Sequence, residues 1–251
     1  MSSEKFELDG QFIEKKALKY EGKAKQVFAT NNADVLWVHY MDQVTALNGK
    51  LKEDFPEKGH FNNLISNLLF DYLTQSGIAN HWLANISETD QLVKRVDIIP
   101  IEVVTRNYAS GHFVSRFDVQ PMMPLTPTVQ EFYYKSDALD DPFMNDSQIL
   151  ALKLATKEEL TDLRIYARQV NEKLVALFKN IGITLVDFKL EFGRTADHQI
   201  LLADEISPDT MRLVDQSTGE SLDKDVFRKH QGDLRVGYQE VLNRLEQFLN
   251  Q

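Results

Sequence analysis

The sequence predicts an α+β protein on three observations: an early run of β-rich segments, two long stretches with apolar residues at helical spacing, and a charged hairpin late in the chain. Early on, ALKYEGKAKQVFAT and ADVLWVHYM are rich in strand-forming residues and are separated by the turn-forming pair Asn31 and Asn32, which predicts an antiparallel start. From Phe61 to Ser76, Leu64, Ile65, Leu68, Leu69, Tyr72 and Leu73 recur at helical spacing, and Gly77 stands where a left-handed cap is expected. The β-branched run VDIIPIEVVTR predicts a mostly buried strand feeding the polar NYASGHF, with Arg106 at the strand's end. In VQPMMPLTPTVQ, Pro121, Pro124 and Pro127 exclude continuous helix and predict an extended crossing segment. Thr156 and Glu159 form a capping box for a helix with Leu160, Leu163, Ala167, Val170, Leu174, Leu177 and Phe178 on its apolar face, ending before Gly182. A C-terminal helix carries Tyr238, Val241, Leu242, Leu245 and Leu249 on one face.

With 251 residues, 43% of them hydrophobic, the chain is long enough to bury a substantial core. It has no cysteine, which removes disulfides, thiolate metal sites and a Cys nucleophile and accords with a reducing, cytoplasmic compartment. No apolar signal region opens it, and no uncharged apolar run approaches the roughly 20 residues that cross a bilayer, so no membrane role is expected. A net charge of -10 repels a polyphosphate backbone at long range. Nucleic acid is therefore not an expected partner, and a small anion would be held by local basic clusters.

In LVDFKLEF, Val186, Phe188, Leu190 and Phe192 alternate with Asp187, Lys189 and Glu191, so one face of the strand packs and the other carries charge. A second strand, ILLADEIS, returns across GRTADHQ, and pairing about Asp197 and His198 would bring Asp204 near Glu191 on the charged face. Facing carboxylates call for a cation, and oxygen donors suit magnesium carrying a nucleotide phosphate. Alternation alone fits the solvated face of a half-buried hairpin at least as well. The charged continuation SPDTMRLVD, with Asp209, Arg212 and Asp215 gathered into a turn, tips the balance towards a site.

Other motifs narrow the chemistry. Lys23 and Lys25 follow Gly22 between strand-like runs, where ammonium and amide groups could meet phosphate, although an exposed lysine-rich hairpin has the same spacing. No Walker A loop, G-x-G-x-x-G, G-x-S-x-G or H-E-x-x-H occurs. The six histidines, His39, His60, His81, His112, His198 and His230, show no metal-ligand spacing.

Taken in order, YEGKAK, TALNGK, KGHFNNLIS, PIEVVTRNYASG, YYKSDALDDPF, LVDFKLEFG, LLADEISPDTMRLVD and LDKDVFR closely resemble the signatures of the phosphoribosylaminoimidazole-succinocarboxamide synthase (SAICAR synthetase) family over nearly the whole chain. The run DFKLEFG followed by ADEISPD is the most specific part. Members of that family join L-aspartate to the carboxylate of carboxyaminoimidazole ribonucleotide (CAIR), converting ATP to ADP and phosphate. The resemblance implies the same reaction here, with ATP and magnesium, CAIR and L-aspartate as small-molecule partners, and a homo-oligomer. It also implies an ATP-grasp-like, kinase-related architecture, with a β-rich domain over residues 1–88 carrying the phosphate-binding hairpin and an α+β domain over 89–251.

Carried over by motif, Gly22, Lys23, Ala24 and Lys25 would hold ATP phosphates and Glu191 and Asp204 would bind magnesium. The VKRVDIIPIE segment, with Lys94 and Glu102, would face adenine. Arg106, Lys135, Asp141, Lys189, Asp209 and Arg212 match positions around the ribonucleotide, and Asp187 and Asn48 complete the catalytic surround with Lys189. Asp187, beside Lys189 and a metal, is a candidate base for the aspartate amine. The sequence departs from the family where AGS becomes SGH, so His112 replaces a phosphate-contacting hydroxyl unless Ser110 supplies it, and where RLWD becomes RLVD. Two other readings stay open: a kinase of related architecture, although neither H-R-D nor D-F-G occurs, and a nucleotide-binding module without catalysis.

Overall fold

A computed structural model describes residues 4–46, 51–229 and 232–250. Asn48 and His230 lie outside the described residues. In chain order the first half comprises β1 (Lys5–Leu8), β2 (Gln11–Glu21), β3 (Lys25–Thr30), β4 (Val35–Tyr40), β5 (Gln43–Ala46), β6 (Leu51–Asp54), α1 (Lys58–Gln75), β7 (Trp82–Asn85) and β8 (Asp90–Lys94). The second half comprises β9 (Asp97–Tyr108), α2 (Gly111–Phe117), β10 (Pro124–Tyr134), β11 (Phe143–Met144), α3 (Asp146–Ala151), α4 (Lys157–Asn180), β12 (Ile183–Arg194), β13 (Ile200–Ala203), β14 (Met211–Asp215), α5 (Asp225–Arg228) and α6 (Leu234–Leu249). Among the described residues no helix is long and apolar enough to cross a membrane.

The antiparallel start is present: the first sheet runs β1-β2-β3-β4-β8-β7 around a small core of Ile13, Val35, Trp37 and Leu92. Strand β8 lies past residue 88 and pairs with β4 inside this sheet, so the sheet extends beyond the domain limit expected from the sequence. Asp90, at the start of β8, accepts from Trp37 Nε1 at 2.7 Å, Thr89 Oγ1 at 2.8 Å and Ser87 Oγ at 2.9 Å, with His39 Nδ1 at 3.2 Å.

The second sheet runs β11-β10-β9-β12-β13, with β14 paired to the other end of β12. Helix α4 packs on β12 and β9, and α6 packs on α1. The capping box at Thr156 and Glu159 is formed in both directions, and every apolar residue expected on the α4 face is buried. These elements share the main core, which includes Leu69, Phe70, Leu174, Phe178, Phe192 and Leu242. Helix α1 ties the two sheets together, because Gly59 lies against the Tyr40 backbone, where a Cβ would come within 2.6 Å of the Tyr40 carbonyl oxygen.

Three local expectations are corrected. The segment after Pro208 is not a charged turn throughout: Met211–Asp215 is a strand, because Met211, Leu213 and Asp215 alternate inward. Asp215 leaves the site and binds Ser217 and Arg244. The face of β12 does not alternate without a break, since the pairing with β14 is irregular between Leu185 and Asp187. Leu185, rather than Val186, therefore joins Phe188 and Leu190 in the main core. The proline-rich stretch is part turn and part strand, with Met122 and Met123 bonded to the backbone of Ala109 before β10 begins.

Burial alone would raise the pKa of Asp90, but the bonds from His39, Trp37, Thr89 and Ser87 outweigh it and hold the carboxyl well below its ordinary 3.8. A depressed carboxylate stabilises the fold above its unfolded value, and that stabilisation is lost as the pH falls through and below it. Asp90→Asn is therefore expected to cost about 2 kcal/mol in urea unfolding at pH 7. The difference from the parent protein should shrink as the pH is lowered below 4, and a cost that stayed constant would show that the charge is not what the bonds favour.

Candidate active site

A cavity of about 850 Å³ lies between the two sheets. One wall is apolar, with Val27, Leu36, Val38 and Val93 from the first sheet; the other is the charged face of β9 and β12. On these walls stand Gly22, Lys23, Ala24, Lys25, Lys94, Glu102, Arg106, His112, Lys135, Asp141, Asp187, Lys189, Glu191, Asp204, Asp209 and Arg212. Ser110 is not on the wall but behind it, where it donates to Asp187.

Register explains the first cluster. Asp187 on β12 is the cross-strand partner of Arg106 on β9 and of Arg212 on β14, so three neighbouring strands carry Arg-Asp-Arg in one row. Arg106 Nη1 donates to Asp187 Oδ2, and Arg212 Nη1 lies 2.9 Å from the same oxygen. Behind the row, Glu131 accepts from Arg106 Nε at 2.7 Å and Asp225 from Arg212 Nε at 3.2 Å. Asp187 is 2% exposed. It is bonded to these arginines and Ser110, not set beside Lys189 as the sequence suggested. Gly111, at φ +51°, lets its loop lie against Arg212, whose Nη2 would be 3.0 Å from a Cβ there.

Register also decides the second cluster. Glu191 faces Glu102 on β9 and Ala203 on β13. The like-charged cross-strand pair is thus Glu191 with Glu102, while Asp204, at φ +61°, follows the end of β13. Lys189 lies among all three: its Nζ donates to Glu191, lies 3.2 Å from Glu102 and 3.8 Å from Asp204 Oδ2. Lys135 adds a bond to Glu191 at 2.8 Å. Burial acts to lower the Lys189 pKa, but the charges of Glu191, Glu102 and Asp204 outweigh it and raise it well above the ordinary value. Burial raises the Glu102 pKa, with Lys189 opposing. For Asp204 burial is overcome by Lys25, Lys189 and Lys135, which hold it below the carboxylate range.

The lysine hairpin reaches across the cleft. Gly22 N bonds Lys25 O at 2.8 Å, closing the turn. Lys25 then pairs with Asp204 and, at 3.1 Å, with Glu205, and Lys23 pairs with Asp137 at 2.6 Å. Both lysines thus leave the first sheet to meet acids of the second half of the chain.

Several residues at the site were not singled out from the sequence, although Lys58, Glu205, Lys224 and Asp225 fall within the runs KGHFNNLIS, LLADEISPDTMRLVD and LDKDVFR. Glu131 and Asp225 look like ordinary surface acids until the fold sets them behind Arg106 and Arg212. Lys58 and Lys224, with Tyr238, surround Asp209, and Glu205 shares Lys25 with Asp204. Only the DKD run in LDKDVFR could have marked Lys224 and Asp225.

The family described as SAICAR synthetase matches residues 18–245. The chain belongs to the SAICAR synthetase family. Among its relatives, the phosphoribosylaminoimidazole-succinocarboxamide synthase of Oenococcus oeni is 54% identical over 233 residues, covering 93% of this chain and 97% of that one. The corresponding protein of Lactiplantibacillus plantarum is 55% identical, covering 93% and 96%. Among solved structures, the Ehrlichia chaffeensis synthase superposes with a TM-score of 0.90 at 44% identity, covering 92% and 98%. A type-2 SAICAR synthetase in complex with ADP superposes with a TM-score of 0.87 at 39% identity, covering 90% and 96%.

The donors present in this SAICAR synthetase family member fit a magnesium ion. Glu191 and Asp204 offer hard oxygens on one wall beside the lysine hairpin, and both lysines at Glu191 reach the same oxygen, Oε1. Among the described residues no group of three or more His, Asp or Glu is arranged to hold a metal by itself. Phosphate oxygens and water would complete the shell, as magnesium commonly requires. A separate expectation concerns the arginine row. Asp187→Asn leaves the buried Arg106 and the half-buried Arg212 without their shared charge and should cost about 3 kcal/mol in urea unfolding. Ser110→Ala, which removes only a hydroxyl from the same carboxylate, should cost about 1 kcal/mol. Equal costs would show that the row is not held by charge.

Proposed function

We propose that the protein is an ATP-dependent ligase of purine biosynthesis that joins L-aspartate to the carboxylate of CAIR, giving SAICAR, ADP and phosphate. The observation that carries this reading is one cavity, in a chain of the SAICAR synthetase family, that brings together a lysine hairpin, an acid cluster and a pair of arginines. The relative solved with ADP bound supports nucleotide binding at a fold this similar.

A carboxylate is a poor electrophile because it would have to expel oxide. Transfer of the terminal phosphoryl group of ATP to the CAIR carboxylate gives an acyl phosphate. The aspartate nitrogen then forms the C–N bond, the C–O bond to phosphate breaks, and the proton lost by the amine leaves with the departing phosphate. Such transfers are catalysed by positioning and charge neutralisation. The apolar wall of Val27, Leu36, Val38 and Val93 suits a flat base, and Lys23 and Lys25 stand where the phosphates of that nucleotide would extend. Magnesium held by Glu191 and Asp204 would supply positive charge to the transferring phosphoryl group.

Arg106 and Arg212 suit the ribonucleotide phosphate, because both guanidinium groups stand on the cavity wall and, among the described residues, the bonds in the row use their Nε and Nη1. Asp187 is assigned to holding those two forks at a fixed separation, with Ser110 seating its carboxylate; His112 lies on the same wall. Lys189, Lys135 and Lys25 offset the charge of the acid cluster until phosphate and metal arrive.

Turnover with ATP, magnesium, CAIR and L-aspartate should stop when any one is left out. ADP release that runs equally fast without aspartate would replace this reading with a kinase. Glu191→Gln, which leaves a side chain of the same size at this buried position, should lower kcat by about 100-fold or more in the folded variant; a folded variant with near-parent kcat would return Glu191 to a packing role.

A further inference from the structure

Lys58 stands in the first turn of α1 and is fully buried, yet it is not on the cavity wall. Its turn is fixed to the first sheet: Gly59 N donates to Asp42 Oδ1 at 2.9 Å, and the Gly59 backbone lies against Tyr40 at the end of β4. From there the Lys58 ammonium pairs with Asp209 Oδ2 at 2.6 Å. Asp209 is on the cavity wall, three residues before Arg212, in a turn that Thr210 N closes on Ser207 O at 2.9 Å. Tyr238, from α6, donates to its other oxygen at 2.6 Å. One group from each of two helices thus grips the carboxylate from behind, while Lys224, on the wall itself, lies further off at 3.5 Å.

We propose that Lys58 is a positioning residue of the enzyme, which holds the Asp209 carboxylate in place on the cavity wall and keeps it off Lys224. The proposal rests on the ligase reading, in which Asp209 faces the ribonucleotide. Lys58 itself reaches no substrate, so it acts through Asp209. Stability does not account for it. Its buried Nζ has the ion pair but no hydrogen bond of good geometry, and it shares its one acid with Lys224. A buried ammonium so placed contributes little to folding, and an apolar side chain of similar length often serves as well. Without Lys58 the carboxylate keeps Lys224 and Tyr238 as partners, so no uncompensated charge is left behind. It would then turn towards Lys224, and two groups of the wall that now stand apart would close on each other. Burial would raise the Asp209 carboxyl, but Lys224 and Lys58 outweigh it and hold it below the carboxylate range. Lys224 is therefore a competitor for the same acid, and Lys58 decides where that acid points.

The test is titration calorimetry of CAIR into the protein loaded with ADP and magnesium, beside melting temperatures and steady-state kinetics. Lys58→Met should weaken CAIR binding about tenfold and raise the KM for CAIR by the same factor. Its affinity for ADP should stay within about twofold of the parent, and its melting temperature should be no lower than the parent's. Tyr238→Phe, which removes only the hydroxyl from the other oxygen of Asp209, should weaken CAIR about threefold and gives the readout if the methionine variant does not fold. Unchanged CAIR affinity in the folded variants, an equal loss for CAIR and ADP with a lowered melting temperature, or a parent protein that binds no CAIR would overturn the proposal. CAIR binding that depends on Lys58 in a protein that makes no product would keep the positioning role and overturn the ligase reading instead.

Discussion

Asp187 grips a guanidinium on each side across three neighbouring strands, and the arrangement of the site depends on that contact. Burying one carboxylate between two arginines requires β9, β12 and β14 to lie in that order and in one register. A slip of one residue would set Val186 or Phe188 against the arginines and turn charge into the core. The irregularity just before Asp187 makes the row possible, because it changes the phase of β12 between an apolar beginning and a charged middle. Glu131 and Asp225 then fix the far side of each fork, so that neither arginine depends on the shared acid alone.

The acid cluster follows from the same strand. Two residues further along, Lys189 points among Glu102, Glu191 and Asp204, and four residues along, Glu191 meets Glu102 directly. The protein thus supplies its own cation where two like charges face each other across strands. Asp204 reaches this cluster because the chain leaves β13 in a left-handed turn, which Asp tolerates better than a β-branched residue would.

Periodicity made the helices legible. The capping box at Thr156, the apolar stripe of α4 and the glycine after α1 are local features, and local physics decided them. The charged face of β12 was legible for the same reason, since alternation belongs to one strand. What alternation could not show was the partner. It placed Asp204 near Glu191, and Ala203 just before it does face Glu191 on β13, but it did not show Glu102 facing Glu191 from β9, and it set Asp187 with Lys189, whereas register gives it to two arginines. Such pairings depend on strand order, which no short window contains. Lys58 and Lys224 escaped notice because a lone lysine looks solvated until a fold buries it, and β14 escaped because its charged residues resembled a turn. The family resemblance located most wall residues without telling which of them touch one another.

The lysine hairpin has a consequence for how the cleft works. Lys23 and Lys25 arrive already joined to Asp137, Asp204 and Glu205. A ligand entering the cleft therefore displaces an existing partner from each cation instead of finding it bare. Its affinity is a difference between two well-made contacts, so binding can be selective without being tight. When the anion departs, the displaced acid is waiting to close on the same lysine, which makes letting go of products as natural to this cleft as taking hold of substrates.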